Sequence, residues 1–371
     1  MAVLYHTGKF PPKNLDWEIL LPFIGPASAA LARYEGVLHG VPNRDVLLSP
    51  LTSQEAVLSS RIEGTQATLG EVLEFEAEGL PNDESTPKRA DIREVMNYRV
   101  ALRMAVNEMR ELPLSQRLIK HMHRTLMDGV RGRNKDPGEY RRIQNWIGPG
   151  NSPISAARFV PVGAENLDNA MSAWETYLHG KEFDITVQLA VLHAEFEAIH
   201  PFLDGNGRLG RLLVPLFLFE KKLLDSPNFY MSAFLERNRD EYYERLLSVS
   251  RDDDWTGWCK FFLQGLIEQA NENTAKAQEI LELYREQKTW IVEATKSQFG
   301  VKILDWIFVR PIFKARDVVE TSGVPKESVA RLLRILREED VLTELRPATG
   351  RRPAIYAFGK LLNIAEGQKV V

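Results

Sequence analysis

The stretch His200-Pro-Phe-Leu-Asp-Gly-Asn-Gly-Arg-Leu-Gly-Arg211 lies between two apolar segments and decides how the middle of the chain folds. Before it, apolar residues recur every three or four positions over residues 186–199, which predicts an amphipathic helix that ends at His200. After it, Leu212–Phe219 is almost wholly apolar and is predicted to be a central buried helix. Pro215 within that segment costs a main-chain hydrogen bond unless it falls in the first turns or at a kink. The stretch is therefore a loop that joins two core helices.

The loop has the composition of an anion-binding site. Gly205, Gly207 and Gly210 let the main chain approach a ligand closely, and the loop opens a helix whose first N–H groups are unpaired. Arg208 and Arg211 add two permanent positive charges on the same side of that helix. We expect these residues together to bind neighbouring phosphate groups.

Two further residues of the loop can carry chemistry. Asp204 precedes the glycines and is placed to hold a divalent cation, with Mg²⁺ favoured because it prefers one or two carboxylates plus phosphate oxygens. His200 can act as a general base near neutral pH. A single His-Pro or Gly-Asn-Gly usually marks only a turn, but neither packing nor capping requires this whole combination. The pattern therefore indicates a phosphate-binding active site.

The same stretch resembles the signature of the Fic family, HPFx[D/E]GNGRxxR, at every specified position. The similarity extends to Asp136-Pro-Gly-Glu-Tyr-Arg141 and Trp146-Ile-Gly148, which are similar to the segment before the family's target-docking β-hairpin flap. The flap would correspond to Ile154–Val162, which is long enough for one arm of a short hairpin. With an N-terminal helical region, the resemblance covers residues 15–265.

By this resemblance, the chain would be a protein adenylyltransferase that moves AMP from ATP to a Ser, Thr or Tyr hydroxyl of a protein, itself included. His200 would take the hydroxyl proton, Asp204 would bind Mg²⁺, and pyrophosphate would be released. Tyr242 and Tyr243 match tyrosines on the adenine side of the family's site. The resemblance implies that ATP contacts Glu63, Phe159, Val160, Gly205, Asn206, Gly207, Arg208, Leu209, Gly210, Arg211, Tyr242 and Tyr243.

A second motif lies upstream of the loop. Thr52-Ser-Gln-Glu55 has the pattern of a capping box, which predicts a helix over about residues 52–64 that ends at Gly64. Ser59 and Glu63 are four residues apart and share a face of that helix. Ser59-Ser-Arg-Ile-Glu63-Gly64 resembles the family's inhibitory motif, [S/T]xxxE[G/N]. The resemblance implies that Glu63 occupies Arg211 and holds ATP in an unproductive pose.

Residues 301–371 follow the pattern of a winged helix. Pro325 can open a helix with an apolar stripe, and Val341–Leu345 and Ala354–Phe358 are predicted strands on either side of a basic turn. This segment has thirteen Lys and Arg and nine Asp and Glu, an excess of positive charge that is modest for a DNA-binding module. DNA binding would depend on Arg331, Arg334, Arg351 and Arg352.

Two alternative functions stay open at this point. Fic family members that transfer phosphate carry Lys in place of the second glycine of Gly-Asn-Gly, whereas this chain has Gly207, which favours AMP transfer. The other alternative is a DNA-binding regulator with a vestigial nucleotide site, which the complete set of chemical residues argues against.

Composition and length indicate the class of protein and the number of domains. The chain has 371 residues, of which 44% are hydrophobic and 26% charged, and a net charge of −4, as in ordinary globular proteins. We expect a mainly α chain with a β-hairpin flap, divided into an N-terminal helical region with the inhibitory helix (1–110), a Fic catalytic core (111–265), a helical linker (266–300) and a winged-helix domain (301–371). The single Cys259 excludes an internal disulfide, and no signal peptide or membrane span is evident, so a cytoplasmic location is predicted. Whether the chain forms a homodimer, and whether residues 301–371 bind DNA or protein, stays open.

Overall fold

The structure is a computed structural model that describes residues 2–78, 86–130, 135–148, 153–349 and 352–369. Most of these residues are helical, as their apolar periodicity predicts. The helices before the flap are α1 (Trp17–His39), α2 (Arg44–Leu47), α3 (Ser49–Ile62), α4 (Leu69–Glu78), α5 (Pro87–Glu108) and α6 (Gln116–Leu126). Those after it are α7 (Leu167–His179), α8 (Ile185–Ile199), α9 (Asn206–Glu220), α10 (Ser232–Arg237), α11 (Arg239–Asp252), α12 (Trp255–Thr295), α13 (Gly300–Val309), α14 (Ala315–Thr321), α15 (Lys326–Glu338) and α16 (Gly359–Glu366). The strands are β1 (Val3–Leu4), β2 (Phe159–Val160), β3 (Ile312–Phe313), β4 (Thr343–Arg346) and β5 (Ile355–Ala357).

The chain forms two compact units, of which the first comprises Met1–Glu35, Leu58–Gly64 and Asn97–Asn271. Its centre is α8, which packs against α7, α9 and α11 and is buried along nearly its whole length. α8 begins at Ile185 because the Asp184 carboxylate accepts hydrogen bonds from the N–H groups of Thr186 and Val187 at 2.8 and 2.9 Å. The two core helices predicted around the His200–Arg211 stretch are thus confirmed as α8 and α9.

Pro215 lies well inside α9, not in its first turns. It has no N–H to donate to the carbonyl group four residues earlier, so α9 lacks one internal hydrogen bond there. Nearly all of α9 is buried, including Pro215, and the packing of its apolar side chains maintains the helix.

A short sheet in the first unit contains the predicted flap. β2 bridges Ile147 in antiparallel fashion at Phe159, so residues up to Gly148 supply the second arm of the hairpin. The expected arm Ile154–Val162 is shorter than predicted, because Ile154–Ala156 forms a turn of 3₁₀ helix. Residues 149–152 lie outside the described residues. β1 pairs with β2 in parallel, a contact that the sequence does not reveal.

A buried polar cluster anchors the segment that follows β1. His6 Nε2 lies 2.7 Å from a carboxylate oxygen of Glu195 on α8, and His6 Nδ1 lies 2.7 Å from the Ser250 hydroxyl on α11. Tyr5 donates its hydroxyl proton to the other oxygen of Glu195 at 2.6 Å. Because both ring nitrogens and both carboxylate oxygens are hydrogen-bonded, the cluster fixes the position of β1 beside the flap.

The helix predicted to be inhibitory begins earlier than expected. α3 starts at Ser49, so Thr52 lies within the helix and the predicted capping box at Thr52–Glu55 is wrong. The hydroxyl group of Thr52 instead donates to the main-chain oxygen of Leu48 at 3.4 Å. The predicted end is right, since Gly64 adopts a left-handed conformation with φ +96°, which glycine accommodates without strain.

The second unit comprises Gly36–Val57, Thr65–Met96 and Glu272–Val371. It contains an antiparallel sheet in the order β3-β5-β4, with α14 packed against α15. The predicted apolar stripe of α15 faces its core, since Val329, Leu332, Leu333 and Leu336 are all buried. The order of helices and strands is the one that a winged helix requires, and that assignment stays a prediction. Among the described residues, no helix has both the length and the apolar character needed to cross a membrane.

Candidate active site

The loop after α8 is held by a buried arginine. The Arg141 Nε–H donates to the carbonyl oxygen of His200 at 3.0 Å, and one terminal nitrogen donates to the carbonyl groups of both Ile199 and Val162. Burial lowers the pKa of Arg141 to about 10, which leaves the guanidinium charged at neutral pH. Arg141 therefore ties the end of α8 to the flap segment. Arg141 lies in the stretch that resembles the Fic family, but the resemblance implies no role for it.

Asn206 closes the loop at the start of α9. Its side-chain oxygen accepts from the Phe202 N–H at 2.8 Å, and its amide nitrogen donates to the Phe202 carbonyl at 2.9 Å. Gly205 before it has φ +78°, in the left-handed region. The first N–H groups of α9 therefore point out of the loop as a fixed anion site, while the Asn206 side chain is committed to the loop itself.

His200 ends α8 and faces a cleft. Its Nδ1 lies 3.3 Å from the carbonyl oxygen of Glu197, which can only accept, so Nδ1 carries the proton and Nε2 keeps its lone pair. Although part of the residue faces the cleft, burial lowers the pKa of His200 to about 4. The ring is therefore neutral near pH 7 and can accept a proton at Nε2.

The Asp204 carboxylate lies on the exposed side of the loop. One oxygen accepts from the Gly205 N–H at 2.7 Å, and the other forms an ion pair with Lys135 at 3.1 Å. A half-exposed carboxylate already paired with a cation, next to a helix N-terminus that favours anions, fits a metal ion shared with phosphate oxygens. The donor set thus suits Mg²⁺ bound together with a nucleotide.

Arg211 is occupied by the two residues of the predicted inhibitory motif. Its Nε–H donates to the Ser59 hydroxyl at 2.9 Å, and one terminal nitrogen donates to the Ser59 carbonyl at 2.8 Å and to the Glu63 carboxylate at 2.7 Å. The Arg211 side chain is 2% exposed and that of Glu63 is 37% exposed. Burial alone would raise the pKa of Glu63, but the charge of Arg211 outweighs it and the pKa lies below its usual range. The pair is therefore ionic at neutral pH.

Gly207 lets Glu63 approach α9. A Cβ atom at position 207 would lie 2.1 Å from a carboxylate oxygen of Glu63. A side chain at this position would displace the carboxylate from Arg211. The space above Gly207 that the Glu63 carboxylate occupies is where a phosphate group would reach the start of α9.

The cleft has a volume of about 870 Å³, which is ample for a nucleotide. Besides Glu63, His200 and Arg211, it is lined by Phe159 of the flap and by the two predicted tyrosines. Tyr242 is buried, with its hydroxyl 3.0 Å from Nε2 of His193, and Tyr243 is 37% exposed. The structure thus brings both ends of the predicted site to one cleft.

Some of the described residues that were predicted to contact ATP do not line the cleft, among them Val160, Arg208, Leu209 and Gly210. Leu209 is fully buried among core side chains, and Val160 pairs with Leu4 of β1. Gly210 makes room for a neighbour, because a Cβ atom there would lie 2.3 Å from Oε1 of Glu197. Arg208 lies 3.9 Å from the Asp204 carboxylate and is nearly fully buried.

Glu197 is a cleft residue that sequence reasoning missed. It lies one helical turn before His200, and its Oε1 has no hydrogen-bond partner among the described residues. Burial raises the pKa of Glu197 to about 7, with the charge of Arg211 opposing and that of Glu63 reinforcing the shift. Its place three residues before His200, on the face of α8 that carries the histidine, was the available signal.

Two family models match the chain. The Fic/DOC family N-terminal model matches residues 21–107, and the Fic/DOC family model matches residues 113–218. Together the two matches cover just over half of the chain, and the second contains the whole His200–Arg211 stretch.

Curated relatives are similar to part of this chain. A probable protein adenylyltransferase of Aquifex aeolicus is 27% identical over 205 residues, which cover 54% of this chain and 55% of the relative. The protein adenylyltransferase Fic of Aedes aegypti is 30% identical over 149 residues, which cover 38% of this chain and 26% of that protein. The match thus spans about half the length of the Aquifex aeolicus protein and about a quarter of the length of the Aedes aegypti protein.

Solved structures share the fold. A Fic family protein from Desulfovibrio desulfuricans aligns with a TM-score of 0.60 at 20% identity, over 94% of this chain and 98% of that chain. A Fic domain containing signaling protein from Bacteroides thetaiotaomicron aligns with a TM-score of 0.56 at 18% identity, over 69% of this chain and 97% of that chain. At these identities the likeness establishes the fold, and the chemistry depends on the residues of the site.

Proposed function

Because this chain belongs to the Fic/DOC family, we propose that it is a protein adenylyltransferase that moves AMP from ATP to a hydroxyl side chain of a protein. The observation that carries the proposal is the arrangement of one cleft. A neutral His200, the N-terminus of α9 at Gly207 and the Arg211 guanidinium line it together. This arrangement supports a base at one end of a triphosphate site.

The proposed reaction is a single displacement at the α-phosphorus of ATP. The hydroxyl oxygen of the target forms a bond to that phosphorus, and the bond from phosphorus to the oxygen bridging the α and β phosphates breaks. The hydroxyl proton passes to Nε2 of His200, and pyrophosphate leaves with the electron pair. The low pKa of His200 supports this role, since the ring is unprotonated at neutral pH.

The phosphate groups would be held by α9 and its arginines. The first N–H groups of α9 suit the phosphate nearest the base, and Arg208 and Arg211 suit the β and γ phosphates. Mg²⁺ held by Asp204 would neutralise part of the phosphate charge. Tyr242, Tyr243 and the flap residue Phe159 would enclose the adenosine end of the cleft.

We propose further that Glu63 inhibits this reaction. The Glu63 carboxylate takes the donor on Arg211 that a γ-phosphate needs, and it fills the space above Gly207. ATP that enters while Glu63 stays in place would be displaced from in-line geometry at the α-phosphorus, because charge-assisted pairs of this kind compete with a phosphate contact.

Intact-mass spectrometry tests the proposed reaction. The wild type and Glu63→Gly are each incubated with ATP and Mg²⁺, alone and with a cell lysate, and Glu63→Gly/His200→Ala is the control. We expect a mass gain matching AMP on Glu63→Gly or on a lysate protein, and none with the control. A gain matching phosphate would assign the chain to the phosphate-transferring branch instead. No gain with any variant would contradict nucleotide transfer.

A further inference from the structure

His123 on α6 is a fully buried histidine that does not line the cleft. It is 1% exposed, and its ring stacks on Phe202 with the ring centres 3.8 Å apart and the planes 9° from parallel. Nδ1 lies 2.8 Å from the N–H of Gly138, and Nε2 lies 2.9 Å from the carbonyl oxygen of Asp204. Both ring nitrogens are therefore used, one toward each of two separate segments.

The partners fix the tautomer of the ring. A main-chain N–H can only donate, so Nδ1 accepts from Gly138 and carries no proton. The proton is then on Nε2, which donates to the carbonyl of Asp204, a group that can only accept. In this state, His123 joins the segment around Gly138 to the loop that carries Asp204.

The loop at Asp204 has little freedom beyond this contact. Gly205 has φ +78°, and a Cβ atom there would lie 2.9 Å from the Met127 sulfur and 3.5 Å from Nε2 of His123. The Asp204 carboxylate accepts from the Gly205 N–H, so its direction follows from the main chain of these two residues. Whatever holds the carbonyl of Asp204 therefore also sets where its carboxylate points.

We infer that His123 is a positioning residue that aims the Asp204 carboxylate at the metal of a bound nucleotide. The inference rests on the proposed function only in that Asp204 is taken as the metal ligand. Outer groups that orient a metal ligand typically change metal affinity by about 10- to 100-fold when they are removed. His123 acts through the main chain of Asp204, so its removal should weaken metal binding and leave the cleft intact.

The variant His123→Phe separates this role from packing. Phenylalanine keeps a ring that can stack on Phe202 but loses both hydrogen bonds. His123→Gln keeps an N–H donor that can reach the Asp204 carbonyl. His121→Phe is the matched control, because His121 lies on the same helix but is half-exposed and pairs with Glu108 at 2.5 Å. All variants are made in the full chain with Glu63→Gly, so that the nucleotide site is open.

Metal binding is measured by titrating Mn²⁺ and monitoring it by electron paramagnetic resonance. The titration contains an ATP analogue with a methylene bridge between the α and β phosphates. We expect His123→Phe to weaken Mn²⁺ binding by about 10- to 100-fold, His123→Gln to lie nearer the parent, and His121→Phe to equal it. Binding of the analogue in the presence of a chelator should be the same in all four proteins.

Three outcomes would overturn the inference. The first is an Mn²⁺ affinity that is unchanged in both His123 variants. The second is a loss of analogue binding in the presence of a chelator that is as large as the loss of Mn²⁺ binding. The third is that the parent binds no Mn²⁺, or binds it equally well after Asp204→Ala. AMP transfer is assayed separately on the parent. If the parent transfers no AMP but the Mn²⁺ affinities of the variants differ as expected, the proposed function is refuted and the role of His123 is still supported.

Discussion

At the scale of single residues, His200 is the group on which the proposed chemistry depends. We expect His200→Ala in the Glu63→Gly background to lower AMP incorporation by about 10²- to 10⁴-fold at pH 7, because the attacking hydroxyl loses its base. ATP affinity should stay within about twofold, since the imidazole contacts the incoming hydroxyl and not the triphosphate. Transfer rates and calorimetric ATP binding are the measurements. Near-normal transfer by this variant would remove His200 from the mechanism.

Glu197 leads to a prediction about stability and pH. Burial raises the pKa of Glu197 to about 7 in the folded chain, above that of an unfolded glutamate. The folded state therefore holds a proton that the unfolded state has released, and stability falls as the pH rises toward 7 and stays reduced above it. Glutamine has nearly the same shape and never ionises. We expect Glu197→Gln to be more stable than the wild type by about 3 kcal/mol at pH 8 and by much less at pH 4.5.

Thermal unfolding at the two pH values measures this difference. Glu241→Gln serves as the control, because Glu241 is exposed and pairs only at the surface with Arg245. Other carboxylates titrate equally in the three proteins, so their contributions cancel in the comparison. An equal stabilisation at both pH values would show that Glu197 is not protonated in the folded chain.

At the scale of elements, local sequence patterns predicted the loop of the site better than they predicted the strand pairing and helix bounds around it. The Gly205, Gly207 and Asp204 pattern is contiguous, so the sequence alone placed the loop between two helices. The pairing of β1 with β2 joins residues far apart in the chain and is only two residues long on each strand, which is too short for alternation to reveal. Thr52–Glu55 has the pattern of a capping box, yet α3 starts at Ser49, because the residues before Thr52 are also helical. His123 matters through contacts made in the fold, which no spacing in the sequence encodes. The spacing of Glu197 from His200 is visible in the sequence, but the burial that raises its pKa is not.

The end of α3 carries the prediction about inhibition. We expect Glu63→Gly to raise AMP incorporation at least tenfold, because one donor of Arg211 and the space above Gly207 become available to a phosphate. Ser59→Ala should release inhibition more weakly, since it removes one hydrogen bond while the Ser59 carbonyl and Glu63 still hold Arg211. Incorporation of labelled AMP compares the three proteins. Equal activity of wild type and Glu63→Gly would refute inhibition by this residue.

At the scale of the whole molecule, the charge distribution bears on whether residues 301–371 bind DNA. The chain carries a net charge of −4, and the excess of positive charge in this segment is small. Arg331 donates to the carbonyl of Thr295 at 2.8 Å, and Arg334 pairs with Glu338 at 3.0 Å. Arg351, a third residue predicted to contact DNA, lies outside the described residues. A phosphate would have to compete with the partners of Arg331 and Arg334, so we expect DNA binding to be weak.

The expected result is retardation of duplex DNA by the full chain only at low salt, with affinity falling steeply between about 50 and 200 mM salt. If Arg334 and Arg352 contact phosphates, each replacement by alanine should lower the slope of log affinity against log salt by about one, without changing sequence preference. Arg316→Ala is the control, since Arg316 is highly exposed and pairs with Glu320 on α14, outside α15 and the predicted basic turn. Fluorescence anisotropy over a salt series measures all four proteins. A surface that neutralises phosphates must release counterions, so its affinity must depend on salt and on the arginines that make the contacts. If the full chain does not bind at the lowest salt, or if Arg334→Ala and Arg352→Ala leave the slope unchanged, this segment is assigned to protein contacts.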